Sequence, residues 1–259
     1  MDTNTLTRFR GIAALYGMRG LERLLRAKVA VIGIGGVGSW ASEALARSGV
    51  GSIMLLDCDT VCLSNFNRQC PAVSENMDRL KAEVMAQRLL SINPSLNIET
   101  KSIKLTEDNL DELFPENVSD DWAVIEAIDD QKAKTALISR LLQSKRIFVS
   151  AGGAGGKADP TKAKIADLSD VTHDKLLSST RQILRKSGVI PQAPKKTGII
   201  CAFLECETIA PKEKNSDEEL SLLAPTFDEG RITFGTAMAS TATVGLCLAH
   251  AMIGKLLHG

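Results

Sequence analysis

Residues 28–57 read KVAVIGIGGVGSWASEALARSGVGSIMLLD, and the order of residue types along them decides the fold class. The β-branched run at 28–33 predicts a strand. Glycines follow at once, a helical pattern then runs to Arg47, and residues 51–57 predict a second strand ending on Asp57. Gly33, Gly35 and Gly38 fit the G-x-G-x-x-G spacing, with Gly36 as a further glycine in the loop. Each has a physical reason to be glycine. The first makes the tight turn, the second lets a phosphate approach the backbone, and the third lets helix pack on strand. The helix start supplies amide donors and a positive dipole end to the phosphates. Asp57 follows Gly38 by nineteen residues, where a carboxylate can accept from ribose hydroxyls. Strand, loop, helix and acid in register predict nucleotide binding.

Outward from this stretch the same rhythm continues. Residues 77–92 carry apolar side chains at Met77, Leu80, Val84 and Leu89, which is helical spacing, and Asn93-Pro94 closes that helix. Strands are predicted near 98–103, 122–128 and 146–150, with helices near 107–113 and 131–143. This alternation means parallel pairing with right-handed crossovers. The predicted fold is α/β: a Rossmann-like, mostly parallel sheet with helices on both faces and an irregular C-terminal extension. We expect a single domain over 1–259, with a nucleotide-binding half at 1–151 and a substrate-recognition and dimerisation half at 152–259. The Gly-Gly-Ala-Gly-Gly run at 152–156 is read as flexible punctuation between them, and strands are expected at 163–167 and 198–207.

Composition excludes several classes. The chain has 259 residues, 44% hydrophobic and 24% charged, which is ordinary for a globular protein and unlike collagen, a coiled-coil rod or a disordered chain. Thirty-one basic residues balance thirty-one acidic ones, so a polyanion must be met by a local patch. Aromatics at 4% disfavour a base-stacking platform. The six cysteines form no C-x-x-C pair, so reduced thiols in a cytoplasmic protein are expected, with Cys58 and Cys247 as small core residues. The N-terminal residues do not read as a signal peptide. The uncharged stretch 232–253 is diluted by threonines, glycines and a histidine, and predicts a buried helix rather than a membrane span, with His250 in the core.

The nucleotide is set by the cations. An NAD site has little use for a cation cluster, whereas Arg68 and Lys81 are the residue types that clamp a triphosphate. Each alone also reads as a solvated surface charge; on one edge of a sheet they read as a clamp. Asp129 ends a further strand, the expected place for a magnesium ligand. Residues 174–196 hold six basic side chains against one acid, and Lys175, Arg181 and Arg185 are expected to share part of a helix surface with Lys186 nearby. This is the candidate RNA-binding patch, with an ordinary solvated helix as its alternative. Residues 212–229 hold six acids against two lysines.

The run from Gly33 through Gln69 resembles the adenylating superfamily of ubiquitin-activating, ThiF and MoeB enzymes: GIGGVGS, an LLDxDxV strand end, SNxxRQ, a helix lysine and a strand-end aspartate. Within it the chain most resembles the tRNA threonylcarbamoyladenosine dehydratase branch, through RFRGIAALYG at 8–17, AEVMAQR at 82–88, AGGAGGKADPT at 151–161 and FGTAMASTATVG at 234–245. The resemblance implies ATP and Mg2+ as cofactors, tRNA as substrate and a homodimer. It implies backbone contacts to phosphate at Gly35 and Gly36, Asp57 on the ribose and Asp59 beside it. Asn65, Arg68 and Lys81 would lie on phosphate, with Asp129 on magnesium; Arg68, Lys81 and Asp129 are the candidate catalytic residues. Arg8 stands where the superfamily has an arginine that reaches a neighbouring subunit. The rival enzyme is a ThiF/MoeB-like activator of a sulfur-carrier protein's C-terminal glycine, which would need a sulfur-acceptor protein and a reactive cysteine. Cys201 stands where the branch carries a cysteine and reads either as a transfer thiol or, preferred here, as a half-buried strand residue. A non-catalytic NAD-sensing module is the rival from another class.

Overall fold

The two strands that flank the glycines lie side by side. β1 (Lys28–Ile32) and β2 (Ser52–Leu56) pair in parallel, with Lys28 opposite Ser52 and Ile32 opposite Leu56. The computed structural model describes residues 2–115, 122–210 and 234–258. In it β3 (Asn97–Lys101), β4 (Trp122–Glu126), β5 (Phe148–Ala151), β6 (Ala163–Asp167) and β7 (Ile200–Leu204) join them in one sheet. Its order is β3-β2-β1-β4-β5-β7-β6, and every pairing is parallel except β6 with β7.

Helices cover both faces, as a parallel sheet requires. They are α1 (Thr3–Arg8), α2 (Arg10–Arg26), α3 (Gly38–Arg47), α4 (Lys81–Ile92), α5 (Leu110–Leu113), α6 (Gln131–Gln143), α7 (Lys175–Lys186) and α8 (Met238–His258). Successive strand side chains point to opposite faces, and two cores result. Val29 and Val31 meet Leu45 of α3, Met85 of α4 and Leu248 and Met252 of α8. Ala30 and Ile32 meet Leu137 and Leu141 of α6 and Leu177 and Leu184 of α7. β1 lies between β2 and β4, so chain connections diverge there. The crevice outside the carboxyl ends of β1 and β4 is the topological switch point where such sheets bind ligands.

Four expectations are corrected. The helix foreseen from Met77 begins at Lys81, because Asp78 takes a positive φ of 62° and Leu80 bridges Thr60; that bridge places Lys81 on the first turn of α4. The glycines at 152–156 are a close-packed joint rather than a flexible break. A Cβ on Gly152 would overlap the Asp174 carboxylate and lie 2.7 Å from Phe203 Cβ, and one on Gly155 would lie 3.1 Å from Phe234. Residues beyond 151 therefore add β6, β7 and α8 to the same sheet and core. α8 is long and apolar enough to cross a membrane, with mean hydropathy 1.3, but Val244, Leu248 and Met252 are buried inside the protein. His250 on its outer face is exposed, not in the core. Cys58 is exposed and Cys247 half-buried; the buried thiols are Cys70 and Cys201. The acidic run at 212–229 lies outside the described residues.

Candidate functional site

The glycine loop joins β1 to α3 at the switch point, and its glycines differ in what surrounds them. Gly33 has φ +90°, and a Cβ there would lie 2.7 Å from the Ala127 carbonyl oxygen. A Cβ on Gly38 would collide with the Gly33 carbonyl, so that glycine is what lets α3 start so close to β1. A Cβ on Gly35 would meet nothing within 4 Å, so that side of the loop is open, while its carbonyl accepts from the Ser39 hydroxyl at 2.6 Å. Gly36 is closed over by Arg68 and Thr241, each 3.2 Å from its Cβ position.

Asp57 stands at the end of β2 and ties this loop down. Its Oδ2 accepts from the Ile34 amide at 2.6 Å and its Oδ1 from the Asp59 amide at 2.8 Å. Burial pushes the Asp57 carboxyl up, while those amides and the Lys81 charge pull it back. Asp59 faces the opposite influence: the Lys81 ammonium, donating to Oδ2 at 2.8 Å, holds its carboxyl below the ordinary value. Lys81 is only 5% exposed, and its one carboxylate partner among the described residues, Asp59, is itself open to solvent.

Residues 62–70 form the next wall. Asn65 is buried, and its Oδ1 accepts from the Cys62 amide at 3.2 Å, capping a short turn at Leu63–Asn65. Arg68 lies across Gly36 and donates to the Ser64 carbonyl at 2.6 Å and to Asn67 Oδ1 at 2.9 Å. Trp40 Nε1 donates to the Arg68 carbonyl at 2.9 Å, and Asn67 donates to the Thr236 carbonyl at 2.8 Å. Arg68 is therefore brought to the glycine loop, while Asn65 holds the shape of its segment. Asp129, three residues past β4, is exposed and makes no side-chain hydrogen bond among the described residues, whereas Asp130 caps α6 through the Ala133 amide. No group of three or more His, Cys, Asp or Glu able to hold a metal occurs among the described residues. A magnesium ion here fits only as one carried largely by substrate phosphates and water, with a single carboxylate from the chain.

The residues of the expected RNA patch do not share one face. Lys175 and Lys186 are exposed on α7, and Lys175 lies 5.7 Å from the Phe234 ring. Arg181 turns inward and donates to the Leu168 and Val171 carbonyls at 2.8 and 2.9 Å, clamping the turn before α7. Arg185 is half-buried, and Lys196 is paired with Asp170. The eleven-residue spacing of Lys175 and Lys186 comes close to three full helical turns, which the six- and ten-residue spacings to Arg181 and Arg185 do not. Cys201 is buried in β7, and burial raises its thiol far above the ordinary value, so it is no ready nucleophile.

Sequence reasoning missed the Glu43 network. Glu43 of α3 accepts from Arg88 of α4 at 2.5 Å and from Arg47 at 2.9 Å, and Cys70 Sγ lies 3.1 Å from it. Burial works against this carboxylate, but the hydrogen bonds from Arg88, Cys70 and Arg47 bring it down to about 2. The network pins the end of the Arg68 segment to two helices. Its only sequence signal was an acid on the apolar side of a helix.

A profile of the ThiF family matches residues 9–256. The tRNA threonylcarbamoyladenosine dehydratase of Haemophilus influenzae is 40% identical over 96% of this chain and 93% of its own length. That of Escherichia coli is 38% identical over 95% and 92%. Crystal structures of the Escherichia coli enzyme in complex with ATP and with AMP each align with a TM-score of 0.85 at 36% identity, covering 98% of this chain and 96% of that one. The glycine loop, the lysine heading α4 and the sheet order thus belong to a correspondence that runs almost end to end, and the chain is a member of the ThiF family.

Proposed function

We propose that this protein is an ATP-dependent tRNA threonylcarbamoyladenosine dehydratase. The observation that carries this is the extent of the likeness: it includes the joint at 152–156 and α8 as well as the nucleotide crevice. In this reading ATP lies along the glycine loop, its phosphates against the Gly35 and Gly36 backbone, within reach of Asn65, Arg68 and Lys81. Asp57 and Asp59 serve the ribose end, and Asp129 is the chain's ligand to magnesium. Magnesium would supply charge neutralisation on the phosphates.

The threonyl carboxylate of the modified adenosine attacks the α-phosphorus, and the bond to pyrophosphate breaks. The carbamoyl group of the same modification then attacks the activated carbonyl carbon through nitrogen or oxygen, a proton is lost from a carbamoyl nitrogen, and the bond to AMP breaks. Water has been lost in net terms, as AMP and pyrophosphate from ATP. The protein's share is positioning and stabilising the charge that builds on the phosphates. Lys81, already desolvated, is suited to that, because its charge acts through little intervening water.

tRNA approaches over Lys175 and Lys186, with Arg185 at their flank. A second copy of the chain fits the apolar side chains left exposed on α2, among them Leu15 at 70% exposure. A cytoplasmic location and a sulfur-acceptor protein as a further partner complete the proposal; burial of Cys201 argues against a sulfur relay through that thiol. The test is nucleoside analysis of purified tRNA incubated with the protein, ATP and magnesium. The cyclised, dehydrated nucleoside should form with one equivalent of pyrophosphate. Pyrophosphate release that requires a small protein's C-terminal glycine and leaves tRNA unchanged would refute the assignment.

A further inference from the structure

Beneath Asp129 lies a charged cluster without solvent contact. Glu126 at the end of β4, Lys134 in α6 and Ser150 in β5 are each 0% exposed. Lys134 Nζ donates to Glu126 Oε2 at 2.5 Å, and Ser150 Oγ donates to the same oxygen at 2.6 Å. The remaining bonds of the pair go to one peptide residue. Glu126 Oε1 accepts from the Ile128 amide at 2.8 Å, and Lys134 Nζ donates to the Ile128 carbonyl at 3.1 Å. Both polar groups of Ile128 are therefore held by the two halves of one buried ion pair. On the other side of Asp129, Asp130 is held as the cap of α6. Asp174 lies near enough for the Lys134 charge to act on it, and its own oxygens accept from the Gly153 and Leu177 amides.

A buried ion pair is a poor way to stabilise a fold, since well-packed apolar residues of similar volume do as well or better. What it supplies is directionality: four hydrogen bonds with one arrangement that satisfies them all. Here that arrangement holds both polar groups of Ile128, the last residue before the exposed Asp129.

We propose that Glu126, Lys134 and Ser150 are positioning residues for Asp129, holding the Ile128 peptide so that the carboxylate meets magnesium on the ATP phosphates. The proposal rests on the assignment of Asp129 as the magnesium ligand. Removing the pair together, as Glu126→Leu with Lys134→Met, avoids stranding a buried charge. Calorimetric ATP titrations of the full-length protein over a magnesium series should then show about a tenfold rise in the magnesium concentration that gives half-maximal affinity. A displacement of a placed group by about 1 Å has effects of up to this order or larger. ATP affinity without magnesium should be unchanged, and removing the pair in an Asp129→Ala background should add nothing.

An unchanged magnesium requirement in the double variant overturns the proposal. So does an equal loss of ATP affinity with and without magnesium, which would mark a purely structural pair. If the double variant does not fold, Ser150→Ala decides: a rise of roughly threefold supports the proposal and none refutes it. Loss of magnesium dependence in Asp129→Ala with a wild-type double variant sinks the positioning role alone. Intact magnesium dependence in Asp129→Ala sinks the ligand assignment and the proposal together.

Discussion

Gly35→Ala separates what the glycine loop does for ligand binding from what it does for folding. No heavy atom lies within 4 Å of the added methyl, and Gly35 is not among the positive-φ glycines, so alanine fits the backbone without strain. Exchange of glycine for alanine at such a site restricts the unfolded chain and stabilises by about 0.4–1 kcal/mol. For a protein of this size that is a rise in Tm of roughly 1–4 °C. The methyl nevertheless projects into the space where phosphate approaches the loop. Displacing phosphate by about 1 Å should lower turnover on the order of a hundredfold. Gly38→Ala should do the reverse: its methyl collides with the Gly33 carbonyl and meets Ala127 Cβ at 3.3 Å. Overpacking of this kind costs about 1–3 kcal/mol and lowers Tm by several degrees. Calorimetric titration with ATP and magnesium, pyrophosphate release and thermal unfolding measure all three quantities. A Gly35→Ala protein that binds and turns over ATP like wild type, or that melts several degrees lower, refutes the assignment of the open face of the loop to phosphate.

Lys81→Met should lower turnover by about 10²–10³ while Tm stays within a few degrees, because its partner Asp59 is solvated; a large loss of Tm would make Lys81 structural. ATP with magnesium should bind more tightly than NAD in a direct competition, and the opposite order would remove the triphosphate clamp. Glu43 has a folded pKa of about 2, below its ordinary 4.5, so its contribution to stability is present above about pH 4.5 and is lost as pH falls toward 2. Screening at the half-exposed arginines limits that contribution to about 1–2 kcal/mol, and Glu43→Gln should flatten this part of a denaturation series against pH. Arg181→Ala should destabilise the fold by about 1–3 kcal/mol, through the carbonyls it leaves without a donor. Lys175→Ala and Lys186→Ala should instead each lower the salt slope of tRNA binding by about one contact; a flat response to both would move the RNA elsewhere.

Much of this protein could be read along the chain because its determinants are local. The strand at residues 28–32, the glycine spacing, the acid at Asp57 and the helix at Gln131–Gln143 each follow from neighbours a few residues apart. So does the parallel order implied by their alternation. Tertiary structure decided whatever depended on partners far away in sequence. Glycines 152–156 read as a flexible break until Asp174, Phe203 and Phe234 were found packed against them. Arg181 read as a surface cation until three-dimensional folding placed the carbonyls of Leu168 and Val171 around it. Glu126 and Lys134 are eight residues apart, yet their meaning comes from burial, which no local pattern records. Periodicity reports which way a side chain points, whereas burial and hydrogen-bond partners are set by segments the chain brings together only when it folds.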